Sequence, residues 1–140
     1  MEPLVQAWVD GKRSTVAKLA WEAAEKETVK AVLGGIDPTA LRTLLSAFLR
    51  SSCLEEARIV LRYQQGRDRD KWPKPVVEAI EAAMARVEKE VAQSPQIGAH
   101  ADQAHVALLS SWLGYVVQLH RFQYTAQREA RQPARSGHVR

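Results

Sequence analysis

Cysteine and long apolar runs are scarce in this chain of 140 residues. A single cysteine, Cys53, cannot form an internal disulfide, which is typical of proteins from reducing compartments. No apolar run approaches the roughly 20 residues that a helix needs to cross a bilayer, so we expect no membrane contact. The segment from Met1 to Leu4 lacks the basic and apolar regions of a signal peptide. These absences predict a cytoplasmic protein.

The motifs of common catalytic and metal sites are also missing. The sequence contains no glycine-rich phosphate loop, no H-E-x-x-H, no C-x-x-C and no nucleophile elbow. His100 and His105 do not share a helix face, so together with Asp102 they indicate a polar helix start rather than a zinc site. Asp68 and Asp70 alternate with basic residues, as in a solvated loop. We therefore expect no catalytic residue, no metal and no cofactor.

Apolar residues recur with the helical period, and glycine and proline fall between the periodic segments. Ser14 is a candidate cap for a helix that reaches Leu33. Asp37 followed by Pro38 favours the start of another helix, because Asp accepts from open amide groups and Pro suits the first helical position. The core-facing stripe predicted for that helix consists of Leu41, Leu44, Leu45, Phe48 and Leu49.

No stretch of the sequence alternates with a period of two, which argues against strands. Short loops between amphipathic helices favour antiparallel packing. The pattern predicts an all-α fold, a compact and mostly antiparallel bundle of five or six helices. We expect one domain over residues 1–131 and a flexible basic tail over 132–140.

The formal net charge of +4 is unevenly distributed along the chain. The net charge is +4 over residues 42–74, −3 over 75–102 and +4 again over 103–140. A surface that is merely solvated more often mixes the two signs. The separation into zones indicates a polyanionic partner.

Arginines dominate the first basic zone. Arg58 and Arg62 are one helical turn apart, so both project from the same helix face. If their helix forms a hairpin with the preceding one, six arginines line one side: Arg42, Arg50, Arg58, Arg62, Arg67 and Arg69. Guanidinium groups bind phosphate bidentately and contact the backbone without reading sequence. The alternative is that Glu55 and Glu56 pair with Arg58 and Arg62, leaving only a solvated face.

Three other side chains have more than one interpretation. Trp72 lies in a charged loop, where it could stack on a base, join a subunit interface or pack against its own hairpin. His120 follows an apolar run, which suggests the edge of the bundle or contact with a partner. Cys53 is most simply a small core residue near a helix start.

Three segments of the sequence resemble the small α-helical subunit of CRISPR effector complexes, most closely the type III-A, Csm-type subunit. Residues 41–46 (LRTLLS) have an arginine just before an aliphatic pair, and residues 61–68 (LRYQQGRD) have a tyrosine-containing helix end that closes on Gly-Arg. Residues 112–122 (WLGYVVQLHRF) are similar to the family's final helix, with its aromatic and basic end. A small subunit from a type I or another type III system is the alternative within this group.

The resemblance implies a subunit without catalytic activity that stacks in copies and lines the groove holding the guide–target duplex. Its partners would be guide RNA, target RNA or DNA, other effector subunits and further copies of itself. Within the matched segments the implied backbone contacts are Arg42, Arg62, Arg67 and Arg121. From a different class, a helical protein–protein interaction adaptor of toxin–antitoxin or phage type would use the same arginines against an acidic protein.

Overall fold

The computed structural model describes residues 1–130, and seven α-helices account for most of them. They are α1 (Pro3–Gly11), α2 (Arg13–Glu25), α3 (Glu27–Leu33), α4 (Pro38–Leu49), α5 (Leu54–Arg67), α6 (Lys74–Ala92) and α7 (Ala101–Ala130). Two short 3₁₀ helices, Arg69–Lys71 and Pro95–His100, lie before and after α6. The predicted all-α bundle is confirmed, with slightly more helices than expected. The tail predicted for residues 132–140 lies outside the described residues.

The extra helix comes from a break at Lys26, where we predicted one helix from Ser14 to Leu33. Lys26 has φ −57° and ψ 129°, which takes the chain out of the helical region. Neither glycine nor proline marks this position. The break lets α3 turn and pack on α6, so tertiary packing overrides local propensity. The predicted cap was also wrong, because α2 already begins at Arg13 with Lys12 at its cap position.

The 30-residue helix α7 is the axis of the bundle, and α2, α4 and α6 pack around it. Its fully buried side chains include Leu108, Leu109 and Leu113, each at most 1% exposed. The face of α6 predicted to be apolar is buried throughout: Val76, Ile80, Ala83, Met84, Val87 and Val91. The beginning of α6 lies beside Leu113 and Val116 in the middle of α7, and the end of α6 lies beside Leu108 nearer the start of α7, so these two helices run antiparallel.

One predicted core residue of α4 is wrong. Leu41, Leu44 and Phe48 are buried, but Leu49 is 63% exposed. Leu49 is the last residue of α4 and lies about 100° around the helix from Phe48. That rotation takes its side chain away from α7 and into solvent.

A polar network ties the N-terminal helices to the end of α6. The Nε1 of Trp8 donates to Ser94 Oγ at 3.0 Å. Lys12 Nζ and Arg86 Nε donate to the two carboxylate oxygens of Glu90 at 2.9 Å and 3.0 Å. The hydrogen bond from Lys12 lowers the pKa of the Glu90 carboxyl below its ordinary value of 4.5, although burial acts in the opposite direction. This network closes the space between α2 and α6 at one end.

Within residues 1–130, no helix combines the length and apolar character that a membrane crossing requires.

Candidate nucleic-acid interface

A hollow of about 480 Å³ lies between the beginning of α4 and the C-terminal half of α7. We call it the α4–α7 hollow. Arg42 of α4 and both Arg121 and Arg128 of α7 line it, and among the described residues that line it Glu129 is the only carboxylate. Two of these arginines, Arg42 and Arg121, are sequence-predicted site residues, and the fold brings them together from opposite ends of the chain. The hollow therefore has an excess of positive charge.

The arginines of this hollow are exposed and keep their charges open to a ligand. No carboxylate within residues 1–130 forms an ion pair with Arg42, Arg121 or Arg128. A guanidinium without a carboxylate partner retains its donors for an incoming anion. This part of the surface can bind phosphate without first breaking an internal pair.

Three planar side chains follow one another along the α7 wall at intervals of four residues. The ring centroids of His120 and Tyr124 are 5.7 Å apart, with 32° between the ring planes. The guanidinium carbon of Arg128 lies 5.7 Å from the Tyr124 ring centroid, within cation–π range. We call His120, Tyr124 and Arg128 the planar ladder. Of the three, Tyr124 and Arg128 are not buried, and they give the hollow planar groups beside Arg42 and Arg121.

His120 is the first residue of the planar ladder, and the surrounding fold holds its ring in place. It is 2% exposed, and its Nε2 lies 2.8 Å from the carbonyl oxygen of Ile36. A carbonyl only accepts, so Nε2 carries the proton and donates. Burial lowers the pKa of His120 below its ordinary value of 6.5, while the carbonyl contact and the nearby Asp37 partly oppose this. The ring is neutral at neutral pH, and His120 is a buried residue rather than one at the bundle edge.

Gly34 lets the connection between α3 and α4 lie close against α7. A Cβ at this position would lie 2.7 Å from the side-chain amide of Gln127 and 3.0 Å from the carbonyl oxygen of Gln123. Only a residue without a side chain fits there without displacing α7. This close approach brings the Ile36 carbonyl to His120 and sets the start of α4 beside the hollow.

The start of α4 follows the predicted pattern. The Asp37 carboxylate accepts from the backbone N–H of Thr39 at 2.8 Å, and Pro38 occupies the first turn. Because Leu41 is fully buried, the next residue, Arg42, emerges at the side of the helix and lines the hollow. The sequence signals that begin the helix therefore also position its arginine.

Arg58 and Arg62 lie elsewhere, in a smaller hollow of about 160 Å³ that also involves Glu81 of α6. The Arg58 guanidinium pairs with the Glu88 carboxylate of α6 and lies 3.9 Å from that of Glu55. The alternative of internal pairing thus holds for Arg58, and its main partner comes from α6. Arg62 forms no ion pair within residues 1–130.

The remaining predicted arginines, Arg50, Arg67 and Arg69, are exposed at or beyond helix ends. Arg67 Nε lies 3.9 Å from Asp68, which is a weak surface contact. None of the three lines the α4–α7 hollow. The fold thus divides the six-arginine face between different surroundings, and the role of each arginine in binding stays a prediction.

Trp72 and Cys53 lie in packed parts of the fold and not in the α4–α7 hollow. Trp72 is 5% exposed and belongs to the apolar core, so it does not present its ring to a base. Its Nε1 has no hydrogen-bond partner within residues 1–130. Cys53 is partly buried at the cap position of α5.

Arg128 and Tyr124 are not among the site residues predicted from the sequence. The signal was present, since His120, Tyr124 and Arg128 are spaced by four residues and therefore share one helix face. What the spacing could not indicate is that the start of α4 lies opposite that face.

No three His, Cys, Asp or Glu side chains in the described part of the chain are grouped so that they could hold a metal ion. Comparisons with protein-family models, with curated proteins and with solved structures give no match to this chain.

Proposed function

We propose that this protein binds nucleic-acid backbone through the α4–α7 hollow, as a non-catalytic small subunit of a cytoplasmic CRISPR ribonucleoprotein effector complex. The observation that carries the proposal is the convergence of Arg42, Arg121 and Arg128, none of which forms an ion pair within residues 1–130. Guide RNA and target RNA or DNA are the polyanions that such a subunit meets.

Phosphate is the ligand chemistry that fits these side chains. Guanidinium groups stay charged at physiological pH and form two parallel hydrogen bonds to phosphate oxygens. The start of α4 at Pro38 also lines the hollow, but the Asp37 carboxylate already accepts from the Thr39 N–H there, so the phosphate contacts come from the arginines.

The assignment to an effector complex rests on the resemblance in residues 41–46, 61–68 and 112–122. Arg42 and Arg121 fall within two of these segments and also line the α4–α7 hollow. Arg50, Arg62, Arg67 and Arg69 are further backbone contacts in this proposal, and Arg58 would first exchange Glu88 for phosphate. Stacked copies along the guide would repeat the same contacts.

The salt dependence of binding tests the backbone contact. Affinity for a fluorescein-labelled 20-nucleotide RNA is measured by anisotropy from 50 to 300 mM NaCl, for wild type and for Arg42→Gln with Arg121→Gln. Loss of the two arginines should reduce the slope of log affinity against log salt by about 0.7 for each phosphate that they contact on a single strand. The matched control is Arg13→Gln with Lys18→Gln, which removes two exposed cations from α2. Equal slopes for all three proteins would contradict the proposal.

Assembly tests the effector-complex part separately. Co-expression with the large effector subunits and a guide array should give a complex that contains this chain and RNA, with an absorbance ratio at 260 and 280 nm typical of a ribonucleoprotein. A chain that binds RNA yet stays outside such complexes would leave backbone binding intact and overturn the assignment.

A protein-interaction adaptor is the second candidate, because α5 presents exposed apolar side chains. Ile59 and Tyr63 are 67% and 61% exposed, and they lie one turn apart on the same face. An acidic protein partner would then meet the arginines. Binding to a protein that survives nuclease treatment, with no RNA co-purifying, would favour this alternative.

A further inference from the structure

We infer that the α4–α7 hollow receives one unpaired nucleotide, with its phosphate between Arg42 and Arg121 and its base on the planar ladder. The inference rests on the proposed function and narrows it. Backbone binding alone makes no distinction between a duplex and a single strand. A base that enters the hollow must leave its partner strand or come from a strand that has none.

The shape of the site goes beyond what backbone binding requires. A row of exposed cations on a flat surface is enough to follow phosphates. This protein instead has a hollow of about 480 Å³, which lies within the range of roughly 300–1,000 Å³ typical of small-ligand sites. The extra volume is best explained by a ligand group larger than phosphate.

The walls of the hollow divide into a cationic part and a stacking part. Val117 and Pro38 supply apolar surface, and Tyr124 with Arg128 supplies two planar groups in contact. Nucleobases stack on aromatic rings and on guanidinium planes, and every base has a face that can do so. The combination of planar groups with open cations matches a nucleotide better than a bare phosphate or an apolar ligand.

The position of the carboxylate sets the orientation of the nucleotide. Glu129 lies eight residues after Arg121, which corresponds to about 12 Å along α7. A phosphate near Glu129 would be repelled, whereas Arg42 and Arg121 favour it at the other end. The nucleobase then lies along Tyr124 and Arg128. The buried contact of His120 with the Ile36 carbonyl fixes the first residue of the planar ladder.

Two single strands of equal charge but different base content, together with a duplex, test the inference. Anisotropy is measured with a single-stranded 12-mer, with the same 12-mer made abasic at its six central positions, and with the 12-mer in a blunt duplex. Wild type should bind the base-containing single strand roughly tenfold more tightly than the abasic strand, since stacking is lost in the latter. The duplex has more phosphates, so its affinity is compared only between wild type and Tyr124→Leu, and it should change by less than about twofold.

The Tyr124→Leu variant removes the central planar group while keeping an apolar side chain. It should lose the preference for bases and leave binding to the abasic strand within about twofold of wild type. Tyr63→Leu, at an exposed tyrosine of α5 outside the hollow, is the matched control and should keep the preference. Circular dichroism and thermal melting of both variants establish that they are folded.

The outcomes separate this inference from the proposed function. Equal affinity for abasic and base-containing strands, with a salt slope that still depends on Arg42 and Arg121, overturns the inference alone. No binding of any strand at 50 mM NaCl overturns both. A Tyr124→Leu variant that is folded but weakened equally toward all strands also overturns the inference. Competition by millimolar AMP would show that a single mononucleotide is enough to occupy the hollow. If AMP does not compete but the preference for base-containing strands persists, binding at the hollow requires a strand.

Discussion

The α4–α7 hollow and the smaller hollow between α5 and α6 both contain arginines from the first basic zone, yet the charges opposite them differ. Arg42 shares its hollow with Arg121 and Arg128, and Glu129 is the only carboxylate among the described residues that line it. Arg58 faces α6 and is paired there with Glu88, with Glu55 at 3.9 Å on its own helix. The first group is open to an external anion, whereas Arg58 in the second hollow is already engaged within the protein.

The difference follows from the net charge of the chain segment against which each arginine-bearing helix packs. Apart from its first residue, Lys74, helix α6 lies within residues 75–102, where the net charge is −3, so its carboxylates can neutralise arginines of α5. The second half of α7 belongs to the basic zone over 103–140, so it adds to the charge of α4 instead. The number of arginines along the chain does not distinguish the two groups, although Arg58 must first leave Glu88 before it can bind an external anion.

The largest expected effect comes from replacing two arginines with uncharged glutamine, first in the α4–α7 hollow and then in the hollow between α5 and α6. Arg42→Gln with Arg121→Gln should weaken RNA binding about 100-fold at 50 mM NaCl, because two open phosphate contacts are lost. Arg58→Gln with Arg62→Gln should weaken it about tenfold, since only the unpaired Arg62 is lost as an open contact and Arg58 is already paired. Anisotropy with one labelled RNA compares them directly. Equal losses would remove the distinction between the two hollows.

His120→Leu tests the buried wall of the α4–α7 hollow. The substitution leaves the Ile36 carbonyl without its donor and should lower the free energy of unfolding by about 2 kcal/mol at pH 8. Urea denaturation at several pH values supplies the measurement.

The same variant also tests the lowered pKa of His120. In wild type, the unfolded chain takes up a proton below about pH 6.5 that the buried neutral ring does not, so stability should fall as the pH drops from 6.5 toward 5. The variant should lack this part of the decrease. Parallel pH profiles for the two proteins would mean that folding does not lower the pKa of His120.

Gly34→Ala tests the close approach that brings α3 and α4 against α7. The added methyl group must displace the Gln127 side chain and press on the Gln123 carbonyl, at a cost of about 1 kcal/mol. Gly114→Ala is the control, because its Cβ would meet nothing within 4 Å and a helical alanine should stabilise by about 0.5–1 kcal/mol. Thermal melting compares the two, and opposite signs are expected.

The smallest effect should come from releasing Arg58 from its ion pair in the hollow between α5 and α6. Glu88→Gln removes the main partner of Arg58 and should tighten RNA binding about twofold to threefold at 50 mM NaCl, with no gain at 300 mM. Glu81→Gln changes the net charge equally without removing an ion pair in the described part of the chain, so a gain of the same size there would argue against a specific release of Arg58.

Local sequence patterns predicted most of the helices because helical periodicity and capping are short-range effects. The Asp37 cap and the buried face of α6 follow directly from neighbouring residues. The break at Lys26 and the exposure of Leu49 did not, since each depends on where a helix packs rather than on its own residues. The same limit applied to the site, where Arg42 and Arg121 were predicted but Tyr124 was not.

The amino-acid sequence by itself determined an all-α protein with two basic zones around an acidic one. The tertiary structure decided which arginines remain open, because the decisive neighbours are distant in the chain. Arg58 meets a carboxylate 30 residues away, and His120 meets a carbonyl 84 residues away. Charge and periodicity are properties of segments, whereas a hollow lined by cations and planar groups exists only once α4 has packed on α7.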